Sequence, residues 1–145
     1  MGLGVIECFA AAGLTVTLTD AGPEQTRRAK ERLVERARSH AEAGLVSPEV
    51  VDRVEEVETA DGAAEAASEA DLVFEAVFED LNLKHEILTA CSAAASVEAV
   101  IVSNTSSLPM EDLAEAVRRP ERFCGMHWFN PPEWTPGVEV IPAPT

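Results

Sequence analysis

The sequence predicts an α/β protein with a doubly wound, mainly parallel sheet, and three observations predict it. Apolar runs rich in β-branched residues alternate with charged, alanine-rich stretches, and strands that alternate with helices form parallel sheets. The 145 residues, 46% of them hydrophobic, are enough for one ordinary domain, spanning 1–145, with its own core. Polar side chains follow the apolar runs, at the end of the sheet where open α/β proteins bind ligands.

The chain opens with a predicted helix and a predicted strand. Residues 3–12 are apolar nearly throughout, which indicates a helix buried against a sheet, and Gly13 occupies the position of a C′ glycine. Residues 14–19 alternate apolar and β-branched side chains and lead directly to Asp20. This pattern is typical of a half-buried strand with an acid at its tip.

Two helices and a short strand are expected next. From Pro23 to about Ala43 the chain is charged and alanine-rich and ends at Gly44, which predicts a long surface helix. A shorter helix should begin at Ser47, which is followed by proline and glutamate. Residues 54–59 form a weaker strand candidate because their alternation is short.

The second half of the chain continues the alternation of helices and strands. Residues 61–69 predict a short helix, residues 70–77 a buried strand, and residues 80–95 a helix that Asp80 opens. The remaining segments follow the same criteria: a strand at 99–102, a helix at 109–117, and short strands at 123–126 and 138–141.

Charge and cysteine content exclude several classes of partner. The net charge is 11 − 26 = −15, so contact with nucleic acid or an anionic membrane surface is electrostatically disfavoured. Cys8, Cys91 and Cys124 have no metal-ligand spacing and an odd count, which suits reduced thiols. No apolar run is long enough to span a bilayer. We therefore expect a cytoplasmic protein without a metal site.

A histidine and a carboxylate near the carboxyl end of the chain suggest acid–base chemistry. His127 lies in Gly125-Met126-His127-Trp128-Phe129-Asn130-Pro131-Pro132, a segment expected to be rich in loops, and Glu139 follows twelve residues later. Imidazole titrates nearest neutral pH, and a carboxylate on its second nitrogen fixes the tautomer. The alternatives are a histidine bonded to local backbone and an outward-facing acid on a strand.

Taken together, Ser103-Asn104-Thr105-Ser106-Ser107, the segment around His127 and Val138-Glu139-Val140-Ile141 resemble a family signature. The L-3-hydroxyacyl-CoA dehydrogenases carry Ser-Asn-Thr-Ser-Ser, then His-Phe-Phe-Asn-Pro, then Val-Glu-Val-Ile in their cofactor-binding domain. The resemblance covers nearly the whole chain and departs at Trp128, where phenylalanine is usual. It implies a Rossmann-type fold and NAD-dependent oxidation of a 3-hydroxyacyl-CoA to a 3-oxoacyl-CoA in fatty-acid metabolism.

The resemblance also implies catalytic roles. His127 corresponds to the general base, Glu139 to the carboxylate that holds it, and Ser106 to the substrate-binding serine. Ser106 also fits a turn or helix N-cap before Pro109, and Ser107 is the neighbour with which it could be confused.

Cofactor contacts are implied at five positions. Gly2 matches the third glycine of the Gly-x-Gly-x-x-Gly fingerprint, because Gly2-Leu3-Gly4 read as its opening would place Glu7 at the third glycine. Asp20 matches the ribose-binding acid and favours NAD over NADP, since no arginine adjoins it to receive a 2′-phosphate. Glu79, Lys84 and Asn130 match positions near the ribose and nicotinamide. Their alternatives are a capping acid, a solvated lysine and an Asn-Pro turn.

This register leads us to expect a chain truncated at both ends. The first strand and two glycines of the fingerprint precede Gly2 in the family, and a helical domain that mediates dimerisation follows the cofactor domain. Two other functions remain open. One is a dehydrogenase of a related sugar acid or carnitine, because Trp128 and Trp134 could reshape the pocket; the other is an inactive nucleotide-binding fragment.

The basic residues are concentrated on one helix. Six of the eleven lie on the long helix after Asp20, where they could attract the phosphates of coenzyme A. Glutamates interleave with them at helical spacing, so pairing within the helix explains the strip equally well. The six are Arg27, Arg28, Lys30, Arg32, Arg36 and Arg38.

Overall fold

The computed structural model describes residues 1–135 and 137–143 and has the predicted alternation of helices and strands. The strands are β1 Thr17–Leu18, β2 Glu58–Thr59, β3 Leu72–Glu75, β4 Val100–Ser103, β5 Phe123–Trp128 and β6 Val138–Pro142. The helices are α1 Gly2–Ala11, α2 Pro23–Glu42, α3 Pro48–Glu55, α4 Ala63–Ala67, α5 Leu81–Ala94 and α6 Met110–Ala114. A single 3₁₀ turn, Pro120–Arg122, leads into β5.

The strands form two sheets. β1 and β2 pair in parallel, and the second sheet has the order β3-β4-β5-β6, in which only the last pair is antiparallel. Parallel pairing with helical crossovers is the doubly wound arrangement that the sequence predicts.

The chain divides into two compact units. The first combines Met1–Gly62 with Asn130–Thr135, and its core lies between α1, α2 and α3 around Leu33 and Val54. The second combines Ala63–Phe129 with residues 137–143, and its core surrounds Leu88, Ile101, Leu113 and Phe123. Each unit therefore buries an apolar cluster of its own.

Helix ends follow the predicted signals. Gly13, just beyond α1, and Gly44, just beyond α2, have φ of 81° and 71°, a backbone conformation that favours glycine. Asp80 caps α5, and its side chain accepts a hydrogen bond of 2.8 Å from the Leu83 amide.

The predicted strand at 54–59 was wrong in its first half, because α3 continues to Glu55. Val50 and Val54 bury one face of this helix. The ammonium group of Lys30 donates to the carbonyl oxygens of Val54, Glu55 and Val57 at 2.6–2.8 Å, which satisfies the end of the helix. Only Glu58 and Thr59 remain for the strand.

The expectation that His127 lies in a loop was also wrong. β5 extends to Trp128, because β6 pairs antiparallel beside it and its register places His127 directly opposite Glu139. The strand was predicted to end at Met126, since its continuation depends on a partner that lies more than ten residues away in sequence.

The basic strip of α2 is largely paired. Arg27 and Arg28 both bond Glu24, and Arg38 bonds Glu55 on α3. The pairs of Arg27 and Arg28 support the interpretation of pairing within the helix, whereas Arg38 pairs with the neighbouring helix α3. No helix among the described residues is long and apolar enough to cross a membrane.

Candidate active site

The polar side chains of the second unit gather where parallel strands end. Glu75 is the last residue of β3 and Ser103 the last of β4, and the Asn104 amide donates to the Glu75 carbonyl at 2.9 Å. Residues 104–107 leave β4 as a loop, while β5 carries His127 beside it. The apolar strands thus deliver their polar ends to one edge of this sheet.

His127 lies between a carboxylate and a hydroxyl group. Its Nδ1 is 2.8 Å from Glu139 Oε2, and its Nε2 is 3.2 Å from Ser106 Oγ. The imidazole is 20% exposed and stands at an angle of 61° to the Phe129 ring, 5.2 Å away. The structure therefore brings together the three residues that the sequence proposes as catalytic.

This geometry determines what each nitrogen can do. An ionised carboxylate only accepts hydrogen bonds, so the imidazole Nδ1 carries the proton that points to Glu139. Nε2 then presents a lone pair towards Ser106 and towards solvent. A hydroxyl proton arriving beside Ser106 finds a base whose charged form Glu139 stabilises.

Glu79 holds the loop that carries Ser106. Its Oε1 accepts hydrogen bonds from the Thr105 hydroxyl and from the amides of Ser106 at 2.9 Å and Ser107 at 3.0 Å. Partial burial alone would raise the pKa of Glu79, but these hydrogen bonds and the charge of Lys84 outweigh it and lower the pKa to about 2. The carboxylate is therefore ionised at neutral pH.

This lowered pKa predicts acid-dependent stability. The pKa falls from an ordinary 4.5 to about 2 on folding, so its stabilisation is complete above about 4.5 and is lost as pH falls towards 2. Glu79→Gln is expected to lower the free energy of unfolding at neutral pH by roughly 1–2 kcal/mol, because hydrogen bonds to charged acceptors are lost. Urea unfolding across this pH range measures the difference, with Glu86→Gln on α5 as the exposed control. A difference that does not shrink on acidification would contradict this account.

A buried ion pair lies beneath this loop and was not predicted. Lys84 Nζ is 2.8 Å and 3.1 Å from the two carboxylate oxygens of Glu75, and both side chains are 1% exposed. Lys84 was predicted to contact the cofactor, and that role remains a prediction; here its ammonium group is directed to Glu75, to the Val77 carbonyl and to Glu79. The sequence feature that could have indicated the pair is Glu75, an acid at the end of the apolar strand β3.

Asn104 is a second residue of the site that the sequence did not predict. Its side-chain oxygen accepts a hydrogen bond of 2.9 Å from the Trp128 amide, which ties the loop after β4 to the end of β5. The signal was its position between Ser103 and Thr105, directly after a strand. Asn104 thus fixes the backbone that follows His127.

The remaining predicted cofactor residues belong to the first unit. Gly2 is the first residue of α1, and its role as the third glycine of the fingerprint remains a prediction. Asp20 follows β1 with its side chain exposed; its Oδ1 accepts from the Ala21 amide at 2.7 Å, and its own amide donates to Thr26 Oγ1 at 2.9 Å. Asn130 is exposed at the start of the segment 130–135.

Burial keeps two of the cysteines in the neutral form. Burial raises the pKa of Cys91 to about 11 and also raises the pKa of Cys124, so both remain protonated thiols. Within residues 1–135 and 137–143 no cluster of histidines, cysteines and acids could hold a metal ion.

Comparison with known proteins identifies relatives over the full length. The family model described as 3-hydroxyacyl-CoA dehydrogenase, NAD binding domain, matches residues 1–145. The mitochondrial hydroxyacyl-coenzyme A dehydrogenase of Rattus norvegicus is 34% identical over 99% of the chain. The alpha subunit of the fatty acid oxidation complex of Shewanella loihica is 43% identical over 66% of the chain.

The crystal structure of FadB2 from M. tuberculosis superposes with a TM-score of 0.89 at 33% identity and covers 97% of the chain. The chain spans 48% of the rat enzyme, 14% of the Shewanella protein and 50% of the FadB2 chain. The similarity thus covers all of this sequence and half or less of each relative.

Proposed function

Because this chain belongs to the family of the NAD-binding domain of 3-hydroxyacyl-CoA dehydrogenases, we propose that it serves NAD-dependent oxidation of an L-3-hydroxyacyl-CoA to the 3-oxoacyl-CoA. The observation that carries this proposal is the arrangement of His127 between Glu139 and Ser106, at 2.8 Å and 3.2 Å. Oxidation of a secondary alcohol requires a base at the hydroxyl group, and this arrangement supplies one.

The chain's own residues handle the proton and the oxygen. Ser106 Oγ orients the substrate hydroxyl group towards His127 Nε2, which removes its proton. Glu139 holds Nδ1–H and stabilises the imidazolium that forms, while Glu79 keeps the Ser106 loop in place. Bound NAD would supply the acceptor for the hydride that leaves the carbon bearing the hydroxyl group. In the reverse direction the imidazolium returns its proton to the oxygen.

The first unit has groups that fit NAD. The exposed carboxylate of Asp20, at the carboxyl end of β1, suits the ribose hydroxyls of an adenosine, and Gly2 at the start of α1 allows close approach of a pyrophosphate. Asn130 of this unit and Glu79 of the second are the further contacts that we propose for the ribose and nicotinamide, and Lys84, 1% exposed and bound to Glu75 and Glu79, would act on the cofactor through Glu79.

Substitution of Asp20 tests the cofactor assignment. Asp20→Ser is expected to weaken NAD binding roughly tenfold or more, because hydrogen bonds to a charged group contribute about 1.5–3 kcal/mol. The variant should also bind NAD and NADP with more similar affinities, since it lacks the carboxylate that repels a 2′-phosphate. Calorimetric titration measures both cofactors, with Asp52→Ser on α3 as the matched control. Equal NAD affinity in both variants would remove Asp20 from the site.

The substrate is tested by comparing an acyl-CoA with free hydroxy acids. We expect nicotinamide reduction with 3-hydroxybutyryl-CoA and none with a free sugar acid or carnitine. The reverse result would favour a relative with a different substrate, and NAD binding without any turnover would favour a nucleotide-binding module. We also propose a cytoplasmic location, because the three cysteines are free thiols, which supports a reducing compartment. We further propose that the parent enzyme is a homodimer.

A further inference from the structure

Two carboxylates shape the loop between β4 and α6, and each acts on a different part of it. Glu75 accepts hydrogen bonds from the Ser103 hydroxyl and, at 2.7 Å, from the Val77 amide. Ser103 Oγ in turn accepts from the Thr105 amide at 3.3 Å. Glu75 therefore fixes the start of the loop.

Glu79 fixes the rest of the loop through the hydroxyl of Thr105 and the amides of Ser106 and Ser107. Its side chain is 36% exposed, whereas that of Glu75 is 1% exposed. Water therefore solvates part of the Glu79 carboxylate, whereas only protein groups stabilise the charge of Glu75.

Lys84 is the cation that both carboxylates share. Its Nζ lies 2.8 Å from Glu75 Oε1 and 3.4 Å from Glu79 Oε2, and it also donates to the Val77 carbonyl at 3.2 Å. A buried lysine with all its donors directed in this way is fixed in position. The ammonium group of Lys84 offsets the repulsion between the Glu75 and Glu79 carboxylates, so that both can bond the same loop.

We propose that the buried Glu75–Lys84 pair positions groups of the candidate active site. The pair acts through Glu79 and sets the Ser106 hydroxyl group against His127 Nε2. The inference rests on the proposed function in so far as Ser106 and His127 are its reacting groups. A purely structural pair would support the core equally well and would leave Glu79 and the loop amides unaffected, which makes the two roles separable.

The test compares two variants that differ only at position 84. Glu75→Gln keeps Lys84 beside Glu79, whereas the double variant Glu75→Gln/Lys84→Met removes the ammonium group without leaving a buried unpaired charge. The amide NMR signals of Ser106 and Ser107 report Glu79 directly, because both amides donate to its carboxylate. Their acid titration gives the Glu79 midpoint, and their hydrogen exchange at neutral pH gives the closure of the loop.

We expect the midpoint, about 2 in the unsubstituted chain, to rise by about one pH unit between the single and the double variant. Hydrogen exchange of both amides should accelerate roughly tenfold or more in the double variant, as one interaction of about 1.4 kcal/mol is lost. Arg119→Met removes an exposed cation paired with Glu121 and should change neither reading.

Midpoints and exchange rates in both variants equal to those of the unsubstituted chain would reduce the Glu75–Lys84 pair to a structural role and overturn the proposal. Lys84→Met alone serves as a further comparison wherever it folds. No cofactor or substrate enters the experiment, so its failure and a failure of the proposed dehydrogenase function are independent results.

Discussion

Replacement of His127 by glutamine is expected to lower kcat for 3-hydroxyacyl-CoA oxidation about 10²–10⁴-fold, because general-base catalysis contributes about that much. Glutamine retains hydrogen-bonding capacity towards Glu139 and Ser106 but takes up no proton. The NAD dissociation constant and the unfolding midpoint should remain unchanged. Steady-state kinetics in the natural polypeptide that contains these residues, with calorimetry and thermal unfolding, measures the three quantities.

The matched control is His85→Gln on α5. The His85 Nε2 atom is 2.7 Å from the Asp112 carbonyl oxygen, away from the groups proposed to react. This variant should keep its kcat. A His127→Gln protein that turns over at the original rate, or that loses NAD affinity and stability together with activity, would contradict the assignment of His127 as the base.

Removal of one partner of the buried ion pair is expected to have the largest effect on stability. Lys84→Met leaves the Glu75 carboxylate 1% exposed and without its counter-ion, and such a change costs about 3–5 kcal/mol. The double variant Glu75→Gln/Lys84→Met should lose much less, since a neutral amide of the same shape leaves no buried charge, accepts from the Val77 amide through its one oxygen and can donate through its nitrogen to Ser103 Oγ. Urea unfolding of the single and double variants measures the free energies.

The free-energy loss in the double variant is compared with the sum of the losses in Glu75→Gln and in Lys84→Met. If the two values were nearly equal, Glu75 and Lys84 would not be coupled, because the effects of independent sites add. Exposed Lys or Arg residues provide the scale for comparison. Arg119→Met should fall within about 0.5 kcal/mol of the unsubstituted protein, as surface ion pairs contribute little.

Local signals determined how much of the fold could be predicted. Capping residues and apolar periodicity predicted every helix to within a few residues, and the family match confirms the Rossmann-type fold and the NAD cofactor class. β1 is only two residues long, where six were expected, because a strand exists only as far as its partner pairs with it. β5 was underestimated for the same reason, since β6 extends it through Trp128.

The site shows the same division between local and tertiary information. His127, Glu139 and Ser106 could be proposed from residue type and resemblance, and the strand register brings them within hydrogen-bonding distance. The pairing of Lys84 with Glu75 could not be inferred, because only the packing of α5 on β3 brings these residues together. Nine positions separate them, and a lysine on a helix is ordinarily solvated.

The most direct test of the central claim is the oxidation of NADH by a short 3-oxoacyl-CoA in the natural polypeptide that contains these residues. Absorbance of the reduced nicotinamide follows the reaction in the unsubstituted protein and in His127→Gln. We expect consumption of NADH in proportion to the 3-hydroxyacyl-CoA formed, and a loss of about 10²–10⁴-fold in kcat in the variant. Absence of turnover in a folded protein that binds NADH, or turnover that does not depend on His127, would contradict it.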